Sequence, residues 1–175
     1  MDINAHLLSS AEYIFDRDGF NATGMGRLIR ESGLSSRTVY RYVVSKNALM
    51  AQVLEKRQQR FFELADFSST EALFGSLRDW FAREGTRGCL FFRVQAETGG
   101  HIAEITAVVA AYHKKLRDSI ADLVVREVGR ADDELVDQLL ALFEGATTAA
   151  TYRGTAVIDA VSVCARQLVS GKATL

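Results

Sequence analysis

Residues 19–46 open with Gly19-Phe20-Asn21-Ala22-Thr23 and a short apolar-periodic run to Gly33-Leu34-Ser35. Arg37-Thr38-Val39-Tyr40-Arg41-Tyr42 follows, then Ser45-Lys46. Two short helices joined by a glycine turn, the second presenting Arg, Thr and Tyr, form a helix-turn-helix. Thr23 can cap the first of them, whose inner face would be Met25, Leu28, Ile29 and Ser32. Gly33 permits the tight turn. Ser35 or Ser36 can cap the second, where Val39 and Val43 point inward and Arg37, Thr38, Tyr40 and Arg41 face out.

The flanking sequence is helical throughout. Leu7, Leu8, Ala11, Ile14 and Phe15 share one helical face, and Asp18-Gly19-Phe20 reads as a glycine cap with a hydrophobic contact behind it. Ser45 opens a fourth helix to about Leu64, carrying Leu49, Val53 and Phe61. Ser68 with Glu71 has the spacing of a capping box. The next helix would bury Leu73, Phe74, Leu77, Trp80 and Phe81 and end near Gly85. Gly88-Cys89-Leu90 starts another that ends at Gly99-Gly100, and a long helix runs from about Ile102 to Val128. Asp132, Asp133 and Glu134 place negative charge at the start of the next, which suits the helix macrodipole. It stops at Gly154, and the last helix carries Val157, Val161, Cys164 and Leu168.

The 175 residues are 48% hydrophobic and 25% charged and include no proline, as expected of an all-α globular chain. Net charge is −1, which argues against a nonspecific nucleic-acid coat. Its distribution is uneven. Residues 1–60 hold nine Lys/Arg against six Asp/Glu, whereas the remainder holds twelve against sixteen. The cationic excess lies with the helix-turn-helix pattern.

Cys89 and Cys164 are too few and too far apart for a disulfide framework or a zinc site. His6, His101 and His113 have no metal spacing, Gly24-Met25-Gly26 lacks the third glycine of a dinucleotide loop, and no motif marks a catalytic nucleophile. Neither cofactor nor metal is expected, nor enzymatic activity. No basic-then-apolar leader precedes Asp2-Ile3, and Ala107–Ala111 is too short a run to span a bilayer, so a cytoplasmic protein without a membrane partner is expected.

A recognition helix must fit a major groove about 12 Å wide, with a few side chains at base edges. Arg37 and Arg41, four apart, share a face and can each pair with guanine. Thr38 and Ser36 can reach phosphate or base, and Tyr40 and Tyr42 can donate to phosphate. Thr23, Arg27, Arg30 and Lys46 are placed for the backbone. On charge and periodicity alone, a solvated cationic face on an ordinary helical protein fits equally well.

The same stretch resembles the DNA-binding domain of the TetR family of transcriptional regulators. The matching residues are Gly19-Phe20, Thr23, Leu28-Ile29, Gly33-Leu34-Ser35, Thr38-Val39-Tyr40, Tyr42, and Lys46 with Leu49. Arg87-Gly88-Cys89-Leu90 is similar to the family's sixth-helix opening, and Phe143-Glu144-Gly145-Ala146 to its dimerisation helix.

The resemblance implies an N-terminal three-helix helix-turn-helix domain, residues 1–46. A long helix would join it to a C-terminal bundle, residues 47–175, for ligand binding and dimerisation. It also implies DNA contacts by Ser36, Thr38, Tyr40, Tyr42 and Lys46, with Thr23 on a phosphate. Arg37 and Arg41 fall at variable positions and would set operator preference. Ser35 and Arg27 complete the candidate set.

A homodimer would read a palindromic operator with half-sites about 34–36 Å apart. Leu139, Phe143, Ala146, Ala150, Val157, Val161 and Leu168 are the candidate interface. A largely apolar small-molecule effector would enter among Trp80, Phe81, Phe92, Gln95, Tyr112, Phe143 and Thr147 and release the operator. The alternative is a helical carrier or enzyme with a vestigial head; a redox sensor using Cys89 is a third reading.

The chain departs from the family pattern in places. Arg30 and Ser32 stand where small alanines are usual, and Val43 replaces a phenylalanine. Gly24 and Gly26 weaken the second helix by up to about 1 kcal/mol each. With almost no chain before the first helix, the basic arm that some family members lay in the minor groove is expected to be missing.

Overall fold

A computed structural model describes residues 2–173, and among them the regular structure is nine α-helices with no strand. They are α1 (Ile3–Asp18), α2 (Met25–Ser32), α3 (Ser36–Tyr42), α4 (Lys46–Leu64), α5 (Thr70–Glu84), α6 (Leu90–Thr98), α7 (Ala103–Val128), α8 (Asp133–Arg153) and α9 (Ala156–Ala173). The all-α expectation holds. Several helices stop where glycine takes a positive φ that other residues resist: Gly33, for example, closes α2 at φ 68°.

The chain forms two compact units. The first takes the chain up to Arg60 together with Leu90–Tyr112, and the second takes Phe61–Cys89 and the chain from His113 onward. In the first unit α1 buries Leu7, Leu8, Ala11, Ile14 and Phe15, the face its periodicity marks, and packs on α2. Glu12 of α1 accepts from Arg57 at 2.7 Å and from Arg60 at 2.8 Å, both on α4, with Arg57 6% exposed. The carboxylate offsets much of the cost of enclosing a guanidinium.

In the second unit, α5 buries Leu73, Phe74, Leu77, Trp80 and Phe81 as their spacing predicts. Phe61 stands edge-on to Trp80 at 5.3 Å and to Phe143 at 6.1 Å, and Phe74 lies 6.3 Å from Phe143. Edge-to-face rings of this kind add about 0.5–1.5 kcal/mol per pair beyond their area. α9 packs against both α5 and α8.

Three local expectations change. The α2 cap is Gly24, with no side-chain hydrogen bond, because Thr23 is fully buried and its hydroxyl donates back to the Gly19 carbonyl at 2.7 Å. α5 is capped by Ser69, which accepts from the Ala72 amide at 3.1 Å, not by Ser68. In α9 the core takes Ile158, Ala165 and Val169; the stripe one position before, Val157, Val161, Cys164 and Leu168, is left half-buried or exposed. Two of the departures noted above find their reason. Ser32, buried, donates to its own helix at Ile29 and so needs no outside partner, and Val43, 2% exposed, fills the place beneath α3 with Val39. Each valine contributes about 1.5–3 kcal/mol.

Candidate nucleic-acid interface

Among the residues of α3 only Val39 is fully buried. Ser35 caps the helix, accepting from the Thr38 amide at 3.1 Å, and its hydroxyl lies 2.8 Å from that of Thr38. That start is worth about 1 kcal/mol and fixes the helix's phase. Seven residues make two turns, so burying one side of the helix leaves the opposite side bare. Ser35, Ser36, Arg37, Tyr40 and Arg41 are exposed, with Thr38 and Tyr42 at the margins. Tyr40 keeps half its surface in solvent. The Arg41 guanidinium lies 5.2 Å over the Tyr42 ring, which aims it along the outer face.

Arg27 is differently placed. It pairs with Asp18 at 2.7 Å and with Glu31 at 2.6 Å, and Arg17 joins the same two carboxylates. Hydrogen bonds from Arg17 hold Asp18 below the usual carboxylate range, and those from Arg27 do the same for Glu31. Arg27 therefore meets any phosphate with part of its donor set already committed.

Lys46 opens α4. Its ammonium donates to the Phe20 carbonyl at 3.0 Å and sits 4.2 Å over the Phe20 ring. Burial lowers its pKa, against which the Glu97 charge acts. Ser45 caps that helix by accepting from the Ala48 amide at 3.0 Å. Thr23 has no exposed surface and a committed hydroxyl, so in this conformation its side chain meets no phosphate. The structure thus gathers Ser36, Arg37, Thr38, Tyr40, Arg41 and Tyr42 on one helix with Ser35 as its cap, leaves Lys46 half-buried beside Phe20, and withdraws Thr23.

The candidate ligand set divides. Trp80, Phe81, Phe143 and Thr147 are buried in the second unit, where Thr147 donates to the Phe143 carbonyl of its own helix. Phe92, Gln95 and Tyr112 belong to the first; Phe92 is exposed, and Tyr112 stacks on Phe91 at 3.9 Å. Neither unit alone brings the seven together.

The candidate interface set divides too. Leu139, Phe143, Ala146 and Ala150 are buried within the chain itself, because α8 turns that face to its own unit's core. Val157 and Val161 are half-buried and Leu168 is exposed. Tyr152, Val163 and Leu168 are the large apolar side chains that α8 and α9 leave exposed. Among the described residues no cluster of metal-ligating side chains occurs, and no helix is long and apolar enough to cross a membrane.

Sequence reasoning missed the polar contacts that α6 makes with the turn between α1 and α2. Arg93 reaches Asp16, and Glu97 reaches Asn21. Only the (i, i+4) spacing of Arg93 and Glu97 signalled a shared face.

Residues 7–53 match the family model described as bacterial regulatory proteins, tetR family. No curated protein matches the sequence. Among solved structures, a TetR-family transcriptional regulator from Streptomyces coelicolor is similar at 22% identity, over 98% of this chain and 94% of that one, with a TM-score of 0.83. A putative transcriptional regulator from Pseudomonas aeruginosa PAO1 is 17% identical over 98% and 90%, with a TM-score of 0.80. A TetR-family regulator from Agrobacterium tumefaciens is 17% identical over 96% of each chain, with a TM-score of 0.78. At such identities the likeness speaks for the fold, which extends along nearly the whole chain. The helix-turn-helix segment therefore matches the model of the tetR family of bacterial regulatory proteins, and the fold of the whole chain is similar to that of TetR-family regulators.

Proposed function

We infer that this protein is a transcriptional repressor that binds a palindromic operator as a homodimer and leaves it when a small-molecule effector binds. One observation carries the reading: α3 buries Val39 and turns Arg37, Tyr40 and Arg41 outward together. A helix with that division suits a groove lined by acceptors and flanked by phosphates. Arg37 and Arg41 read base edges. Ser36, Thr38, Tyr40 and Tyr42 hold phosphates or sugar, and Lys46 adds a backbone contact from the start of α4. Residues 1–46 do the reading, and residues 47–175 bind the effector and the second subunit.

Two further features support the division of labour. The exposed apolar residues Tyr152, Val163 and Leu168 on α8 and α9 suit a self-complementary surface. The aromatic cluster around Phe61, Trp80 and Phe143 supplies the apolar walls such an effector needs. Release follows if the effector prefers the arrangement that fits DNA poorly.

The test is fluorescence anisotropy with DNA from the protein's own promoter, across a salt series. Binding at nanomolar to micromolar protein that weakens steeply with salt is the expected result. A protein that binds an apolar ligand but no DNA under any salt condition would instead be a carrier with a vestigial head.

A further inference from the structure

We propose that Glu97 is a positioning residue for DNA binding: from the end of α6 it fixes the Gly19–Asn21 turn and, through Phe20, the ammonium group of Lys46. The inference rests on the reading of α3 and Lys46 as DNA contacts.

The contact is built from both sides. The Asn21 amide donates to Glu97 Oε2 at 2.8 Å, and Asn21 Nδ2 donates to the Glu97 carbonyl at 2.7 Å. That carbonyl is among the last four of α6, which have no partner within the helix. One asparagine thus caps α6, while the α6 carboxylate satisfies an amide of the turn. A Cβ at Gly19 would stand 3.2 Å from Glu97 Oε1, so the carboxylate lies against bare backbone, and Gly19 sits at φ 89°. Any other residue there is strained and crowds the carboxylate. One turn earlier on α6, Arg93 donates to the Asp16 carboxylate at 3.1 Å and to the Asp16 carbonyl at 3.0 Å. Arg93 and Glu97, four apart, therefore grip the end of α1 and the turn after it from one helix face.

Phe20 lies between the two residues the carboxylate touches. Its carbonyl receives the Lys46 ammonium and its ring lies beneath it. The Glu97 charge also faces that ammonium and offsets part of the cost of its burial. The turn is consequently the seat on which the first residue of α4 rests, and Glu97 holds the seat.

Glu97→Ala and Glu97→Gln test this in the full-length protein. Glutamine still offers an oxygen to the Asn21 amide; alanine does not. Exchange of the Asn21 amide should rise about tenfold or more in Glu97→Ala, the loss of one charge-assisted hydrogen bond, and stay within about threefold of wild type in Glu97→Gln. Affinity for promoter DNA, by anisotropy well below the melting temperature, should fall about tenfold in Glu97→Ala and be largely restored in Glu97→Gln. Unchanged Asn21 exchange in Glu97→Ala would overturn the proposal, and so would faster exchange with unchanged DNA affinity. Failure of the wild-type protein to bind DNA at all would overturn the reading of α3 and this inference with it; the variant results overturn this inference alone.

Discussion

α3 and α9 both leave side chains uncovered, but opposite kinds. α3 hides one valine and shows two arginines, a serine and a tyrosine. α9 hides Ile158, Ala165 and Val169 and shows Val163, Cys164 and Leu168. Uncovered charge stays in water at no cost until a polyanion arrives; uncovered apolar surface carries a standing cost until something like it covers it. On the proposed function, the first surface serves an unlike partner and the second a further copy of the same chain.

The largest effect should come from the α9 side. Val163→Glu with Leu168→Glu should give a monomer in sedimentation velocity and cut operator affinity by about 100-fold or more, since two linked heads gain from each other's binding. A dimer that survives both charges would show that α3 and α9 do not divide the work as argued. Next comes Arg41→Ala, expected to cost about 1–3 kcal/mol at one base position and to relax selectivity there. A selection from randomised operators that returns the wild-type preference would remove Arg41 from base reading. Lys46→Ala should weaken all sequences alike and reduce the slope of log affinity against log salt by about 1. A change in base preference there would blur the line between α3 and the start of α4. The smallest effect belongs to Glu31→Gln, which loosens Arg27 and should raise affinity about two- to threefold at low salt by freeing a cation for phosphate. Because Asp18 and Glu31 have depressed pKa values in the fold, their pairing persists through the neutral range. It is lost only as pH falls through those depressed values, so this small gain should be flat between pH 6 and pH 8 (about two units clear of free carboxylate titration).

Much of the fold was legible because its determinants are local. Glycines at 19, 33, 85, 129 and 154 close helices where the periodic runs end, and all five take positive φ. The outer face of α3 followed from two residues pointing in, Val39 and Val43. What was not legible depends on partners distant in sequence. Thr23 has the chemistry of a cap or a phosphate ligand, and only the packed turn shows its hydroxyl committed to Gly19. Asn21 and Glu97 are 76 residues apart, and nothing in either neighbourhood announces the other. α8 and α9 illustrate a further limit. An apolar stripe has the same sequence pattern whether it faces its own core or a partner, so Leu139, Phe143, Ala146 and Ala150 read as interface although α8 spends them internally. In α9 two neighbouring stripes are both apolar, and periodicity cannot choose between them.

The shared grip of Arg57 and Arg60 on Glu12 limits how the first unit can respond to any push. Sliding α1 along α4 by a single turn would part both guanidinium groups from Glu12, one of them enclosed by protein. Such a slip is costly enough to forbid gradual shear between these two helices. A displacement imparted to α4 must carry α1 with it as one stiff lever.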